Sequence, residues 1–281
     1  MSKIVKLSKP PLTISDQILK IKSKNITISD ESDCSLFLAR NNYQKLFLYR
    51  DLLNPSSATF EDLKNLYLLD FKVKNIVFLA LNIVESKIKT ELAYFHLLKY
   101  GNHGYLDSNN FFRADYHSTF VKKLLEEIKI QKHFMIEAHF KNYDDDPPLY
   151  KIIEILSFGQ LSKFYSNLTR IDQKAISKNY YSRIDIMVLQ SWFIFLVEIR
   201  NSCAHGSPLI NKNILYPPKK LKIPTWDHIN QKDISILFYV IKEVLNDLST
   251  FNMIKHNLLL VLNPYKSNPN INNIIIELNR L

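Results

Sequence analysis

Glycine is scarce in this chain, with 4 in 281 residues. Few positions therefore suit a positive φ, which argues against a β-rich fold built on tight hairpins and against a glycine-rich phosphate loop. Neither GxxxxGK[ST] nor GxGxxG occurs, so a nucleotide-driven motor and a Rossmann enzyme are not expected. Cysteine is equally sparse: Cys34 and Cys203 stand far apart, with no CxxC pair and no Cys/His cluster. A structural zinc site and a secreted disulfide scaffold are not expected. The start, Met1 to Pro11, lacks the apolar segment of a signal peptide. No uninterrupted apolar run approaches the roughly 18 residues of a membrane span, and even Trp192 to Ile199 is broken by Glu198. The expectation is a soluble, cytoplasmic protein with no membrane partner, no cofactor and no metal.

Positive charge and aromatic residues, in contrast, are plentiful. Hydrophobic residues make up 46% and charged residues 23%, ordinary for a folded domain. The net charge is +10, spread along the chain, which points to a polyanionic partner, nucleic acid before membrane. The 15 Tyr and 17 Phe include stacking platforms for bases, although helical spacing assigns most of them to the core.

The hydrophobic period is helical almost throughout. Residues 1–12 read as a basic, extended lead-in, and Thr13 with Asp16 as a helix start running to Ser23. Ser29 before Asp30 and Glu31 marks a second start, and Tyr43, Leu46, Phe47 and Tyr49 a further helical stretch. From Phe60 to Leu98 apolar residues recur at three and four, with an interruption expected near Asp70. Phe111 to His139 reads as one helical region, with Phe120, Leu124, Ile128 and Phe134 as core positions. Asp144-Asp145-Asp146-Pro147-Pro148 is a break. Helices are expected at Leu149–Leu156, Leu161–Leu168, Ile186–His205, Ile234–Leu262 and Ile271–Leu281, with a loop from Asn211 to Trp226. The fold class is all-α, divided into an N-terminal helical extension, 1–58, and a helical domain, 59–281.

The most informative segment is Arg200-Asn201-Ser202-Cys203-Ala204-His205, which closes the apolar run from Ile186. Gly206 and Pro208 follow, so the polar groups sit where a buried helix ends. A guanidinium grips a phosphate with two donors, and an imidazole moves protons near neutral pH. Together they are a minimal kit for metal-independent RNA cleavage by the substrate's own 2′-hydroxyl. The plainer reading is a helix end capped by cations. On an ideal helix Arg200 and His205 point about 140° apart, whereas Asn201 and His205 lie within about 40°. The buried stripe is Leu189, Trp192, Leu196, Ile199 and Cys203; Arg200 borders it and the other two face away. One helix does not surround one phosphate, so a homodimer with a shared cleft is expected.

Other candidates carry less. Asp144, Asp145 and Asp146 can bind a divalent ion, but a solvated acidic turn is the favoured reading. His96, His103, His117, His133 and His139 read as surface or partly buried residues without ligand-like spacing. Glu85 either orients a functional cation or is an exposed helix position.

Several elements, in order, resemble the Abi-like (AbiD/AbiF) family of abortive-infection proteins. They are Lys9-Pro10-Pro11-Leu12-Thr13 with Gln17-Ile18, and Asn42-Tyr43 with Leu46 and Tyr49. Ile83-Val84-Glu85 with Thr90 and Tyr100-Gly101 follow. Ser157-Phe158-Gly159-Gln160-Leu161-Ser162, Arg200-Asn201-x-x-Ala204-His205 and Asn211 complete the series. The resemblance implies a HEPN-type helical bundle with additional N- and C-terminal helices. It implies a dimeric ribonuclease site with Arg200, Asn201 and His205 as catalytic residues. The implied role is phage defence, or the toxin of a pair whose antitoxin is RNA or protein. Two departures are visible. The basic residue usual after the His is replaced by Gly206-Ser207-Pro208, and position 207 carries Ser, not the Tyr on which one mode of toxin control depends. The expected activity is metal-independent endoribonuclease, and the alternative is a non-catalytic RNA- or protein-binding module of the same fold.

Overall fold

The structure, a computed structural model, describes residues 11–281 apart from Pro55, Gln131, Lys132, Arg183 and Asn211. Most of the lead-in, the Lys9-Pro10 pair and Asn211 therefore lie outside the described residues. Thr13 opens α1 (Ile14–Lys22) with a capping box to Asp16. The second helix, α2 (Glu31–Arg40), is capped by Asp30 and not by Ser29, because the Asp30 carboxylate accepts the N–H groups of Ser32 and Asp33. Asn42 caps α3 (Tyr43–Phe47) in the same way. The pair α1 and α2 pack together, and α3 lies on the next helix.

That helix, α4 (Phe60–Tyr100), is the axis of the molecule. It begins with a capping box between Thr59 and Asp62, runs 41 residues and ends at Gly101 with φ 75°. At a rise of about 1.5 Å per residue it spans about 60 Å. No interruption occurs at Asp70. The aspartate is fully buried and hydrogen-bonded by side chains and backbone from other segments, so burial costs it no satisfied partner.

The region expected as one helix from Phe111 is two, α5 (Ala114–Ile130) and α6 (Phe134–Asn142). Phe134 opens the second with its ring stacked on His133 and exposed; Leu124 and Ile128 are core residues as expected. After the two prolines come α7 (Leu149–Ile155) and α8 (Phe158–Asn167), the latter started by a Ser157–Gln160 capping box. A helix absent from the sequence reading, α9 (Arg170–Tyr180), follows. Its buried face is made largely of polar groups, Asp172, Gln173 and Ser177 with Ile176, so no apolar period announces it.

The motif helix is α10 (Ile186–Ala204). By length and composition it could cross a membrane, but here Leu189, Trp192, Phe193, Phe195, Leu196 and Ile199 are fully buried as it packs on α4, α8 and α9. The expected C-terminal long helix is broken into α11 (Ile236–Leu245) and α12 (Leu248–Leu262). Asn246 adopts a left-handed turn with φ 48°, and Asp247 caps the second piece. Last comes α13 (Pro269–Arg280). Contacts with α4 are made by α7, α10, α11 and α12, which form one continuous apolar core around it. Among the described residues the only extended pairings are two isolated bridges, Thr27 with Thr59 and Phe111 with Leu168. The molecule is an all-α helical bundle.

Candidate functional site

The site is built where α10 ends against the first half of α4. Tyr181, just before α10, donates its hydroxyl to Glu91 (2.6 Å). Leu209 and Ile210, just after it, donate their N–H groups to Asp70 (2.9 and 2.8 Å). The two helices are therefore antiparallel, and the C-terminus of α10 lies beside the early turns of α4.

The chain leaves α10 through a Schellman turn. His205 is the cap, Gly206 takes φ 68°, and Ser207 N–H reaches the Ser202 carbonyl (2.9 Å) while Gly206 N–H reaches that of Cys203 (3.4 Å). The turn is held from two sides. Asp70 grips the two amides beyond it, and also accepts the Tyr49 hydroxyl and pairs with the buried Lys74 ammonium (3.0 Å). On the other side Lys45 donates its ammonium to the His205 carbonyl (3.1 Å), where it complements the negative end of the helix.

Arg200 points to α4, as expected of a residue bordering the stripe. Its Nε is 3.8 Å from a Glu85 oxygen and its guanidinium lies 5.8 Å from the Phe78 ring centroid. That Nε is buried with no hydrogen-bond partner among the described residues, while 30% of the side chain remains accessible. Glu85 is itself buried and shared with Lys89 (3.3 Å), whose ammonium is anchored on the Glu154 carbonyl (2.9 Å). Glu85 thus orients a cation and is not an exposed position. One carboxylate between two cations leaves a surplus positive charge at the mouth of the site.

Asn201 and His205 are exposed. No hydrogen bond or ion pair joins the side chains of Arg200, Asn201 and His205 among the described residues, so one chain places the three groups around a helix end without closing them on a point. Cys203 faces inward, where burial, with Asp70 close by, pushes its thiol up to about 12. It is half-buried against the core, and its thiol is held in the protonated, weakly nucleophilic form.

Sequence reasoning missed Asp70, Lys45 and Glu198. The Glu198 carboxylate, read only as a break in an apolar run, accepts the N–H groups of Leu215 (3.1 Å) and Tyr216 (2.9 Å) and pairs with Lys212 (3.0 Å). It straps residues 212–216 along α10. That strap continues through Trp192, which donates to the Lys219 carbonyl (2.7 Å) and stacks on Trp226. The one sequence signal for Asp70 was its place among Leu66, Leu69 and Val73, within the helical apolar pattern.

The histidines also differ from expectation. His96, His117 and His139 are buried, because tertiary packing supplies aromatic neighbours and carbonyl partners that spacing does not show. His139 and His103 bond the Asp145 and Asp146 carbonyls (3.0 and 2.7 Å) and lie 3.2 and 3.5 Å from the Asp145 carboxylate. They staple the acidic turn to the body. Among the described residues no group of three or more His, Cys, Asp or Glu is placed to hold a metal ion.

The chain is thus an all-α bundle with Arg200, Asn201 and His205 at the end of the apolar helix α10. A family model described as Abi-like protein matches residues 33–211, and the chain belongs to that family. Membership associates it with abortive infection, a defence of bacteria against phage. No curated protein matches the chain, and no solved structure does.

Proposed function

We propose that this protein is a metal-independent endoribonuclease of phage defence, acting in abortive infection or as the toxin of a toxin–antitoxin pair. In this reading the bundle is of HEPN type, and Arg200, Asn201 and His205 form its site. Arg200 holds the scissile phosphate and stabilises the charge that develops on it. His205 takes the proton from the ribose 2′-hydroxyl. The 2′-oxygen bonds to phosphorus, the bond to the 5′-oxygen breaks, and a second imidazole returns a proton to that oxygen. The products are a 2′,3′-cyclic phosphate and a 5′-hydroxyl. Asn201 orients the phosphate or ribose, and Lys45, beside the His205 carbonyl, supplies a cation where residues 206–208 carry none.

The observation that carries this reading is the pairing of a braced Arg200 with an accessible His205 on one helix end. Arg200 is half-buried against Glu85 and Phe78, and His205 sits on a turn tied down by Asp70 and Lys45. Such preorganisation suits charge stabilisation in a transition state. The second imidazole comes from a second copy. Leu68, Phe71 and Leu79 form an exposed apolar stripe on α4, next to Phe78, and would be covered in a homodimer that brings two motifs together.

One observation favours the alternative of a non-catalytic RNA- or protein-binding module: within one chain the motif side chains do not converge. Incubation of the purified protein with RNA in EDTA separates the two. Cleavage to cyclic-phosphate ends, lost in His205→Ala, is the expected result. RNA binding with no cleavage by the parent supports the module instead.

A further inference from the structure

A second site lies on the other half of the bundle. It is a cavity of about 660 Å³ between α5, α8 and the start of α9, reaching Gln190 on α10. That volume is in the range of small-ligand sites. Gln190 and Arg200 are ten residues apart on one helix, so the cavity stands about 15 Å along the axis from the motif.

Its floor is apolar: Phe111 and Phe164 are buried and packed edge to face. Its rim carries two exposed aromatic rings, Phe112 and Tyr116. Water-exposed aromatics on a mobile loop would mean little, but this backbone is braced. Phe112 N–H bonds the Asn167 carbonyl (2.7 Å). The Asn167 side chain accepts Arg113 N–H (3.0 Å) and donates to the Arg113 carbonyl (3.1 Å). The rings are thus presented by a fixed segment, at no further ordering cost to its backbone.

Cations surround them. Arg113, Lys123, Lys163 and Arg170 line the cavity, with Asp115 as the opposing carboxylate. Asp115 is taken by Arg113 (2.7 Å). Lys123, Lys163 and Arg170 have no carboxylate partner among the described residues. The Arg113 guanidinium lies 3.9 Å from the Tyr116 ring centroid, and that of Arg170 5.9 Å from Phe112. The Arg113 guanidinium therefore covers a face of Tyr116, whereas Arg170 stands to the side of the Phe112 ring, where the phosphate of a base stacked on Phe112 would fall. Gln190 adds a carboxamide with no hydrogen-bond partner among the described residues, able to meet a base edge.

We propose that this cavity is a nucleotide-binding pocket, with a base stacked on Phe112 and its phosphate held by Arg170 and Lys163. The chemistry is the same for a free nucleotide and for one nucleotide of an RNA strand. A ring alone would be served by the apolar floor; the uncompensated cations require the phosphate as well. The pocket does not depend on cleavage at Arg200 and His205.

The test is calorimetric titration with AMP, UMP and adenosine, and anisotropy with a short 2′-O-methyl RNA, which cannot be cut through its 2′-oxygen. Phe112→Ala and the double variant Arg170→Ala/Lys163→Ala each weaken binding roughly tenfold, while Phe112→Tyr restores it. All three positions are exposed, and melting temperature checks the fold; the exposed pair Lys232→Ala/Lys266→Ala, which also removes two charges, serves as charge-matched control for the double variant. A response with the mononucleotides identifies a free ligand, and a response with the oligonucleotide alone identifies an RNA strand. Absence of binding by the parent to either probe at millimolar concentration overturns the proposal. So does affinity that ignores these variants, or adenosine bound as tightly as AMP. Binding that persists in a protein unable to cleave RNA leaves the pocket standing while the ribonuclease reading falls.

Discussion

Asp70 on α4 accepts the backbone N–H of Leu209, 139 residues further along the chain, at 2.9 Å. The carboxylate is fully buried and serves Tyr49, Lys74 and Ile210 as well. It joins the Tyr49 segment and α4 to the turn after the motif helix. Asp70→Ala would strand a buried ammonium, a hydroxyl and two amides. The expected loss is about 3–5 kcal/mol, read by urea denaturation. A loss below about 1 kcal/mol would mean that Asp70 is not the anchor described.

Glu85 and Arg200 separate orientation from grip. Glu85→Gln keeps the shape and removes the charge that steers the guanidinium. RNA cleavage should fall by roughly tenfold with affinity nearly unchanged, since the loss is one of positioning. Arg200→Ala should reduce both cleavage and affinity. His205→Ala should reduce cleavage by on the order of 10²–10⁴-fold while binding and melting temperature hold. Single-turnover kinetics beside filter binding read all three, and equal loss of affinity in every variant would contradict the assigned roles.

Gly206 sits at φ 68° in the turn, and a Cβ there would stand 3.0 Å from the Lys45 ammonium. Gly206→Ala should cost about 1 kcal/mol for the left-handed backbone, and should push Lys45 off the His205 carbonyl. Gly206→Asn should cost less. Lys45→Ala should leave stability within about 0.5 kcal/mol yet weaken RNA binding, measured as a shallower salt dependence. An unchanged salt slope would remove Lys45 from the RNA path.

His96 is fully buried among Tyr100, Phe111 and Phe164, and neither ring nitrogen has a hydrogen-bond partner among the described residues. Burial pulls its pKa down to about 4, against partial compensation from Asp172 and with Lys99 and His117 adding to the lowering. The unfolded chain protonates near 6.5 and the folded one does not. Stability from this site is intact above pH 6.5 and is lost as pH falls toward 4, by on the order of 3 kcal/mol. Urea midpoints across that range should fall less steeply in His96→Phe. Equal slopes in the two proteins would assign the acid sensitivity elsewhere.

Dimerisation is expected through the α4 stripe beside the motif. Light scattering at micromolar concentration should give about twice the 33.0 kDa chain mass, and Phe71→Asp with Leu79→Asp should halve it. A monomeric parent that still cuts RNA would rule out a shared site.

Much of the helical order was legible from period and capping alone. Thr13 opens its helix with the reciprocal cap read from the sequence, and the apolar run into Arg200 is α10. The caps at Thr59 and Ser157 are absent from the sequence reading, and α8 begins at Phe158 and not at the expected Leu161. What failed did so for local reasons. The α9 helix buries polar groups, so its pattern is silent. Asn246 can adopt a left-handed turn without glycine, which concealed the break between α11 and α12. The site was half legible. Arg200 and His205 announced themselves by chemistry, and orienting a cation was one of two readings of Glu85. Asp70 and Lys45, however, act from distant segments, and only packing shows which charge meets which backbone group.

The 139 residues between Asp70 and Leu209 also set an order of events. A chain still emerging from the ribosome can form α4 and begin α10, yet the turn carrying His205 lacks its anchor until Leu209 and Ile210 have left the exit tunnel. The helix end is therefore assembled late in synthesis, after most of the bundle that supports it. A truncated chain ending before Leu209 would keep Arg200 braced on Glu85 but would lose the Asp70 anchor of the turn that carries His205.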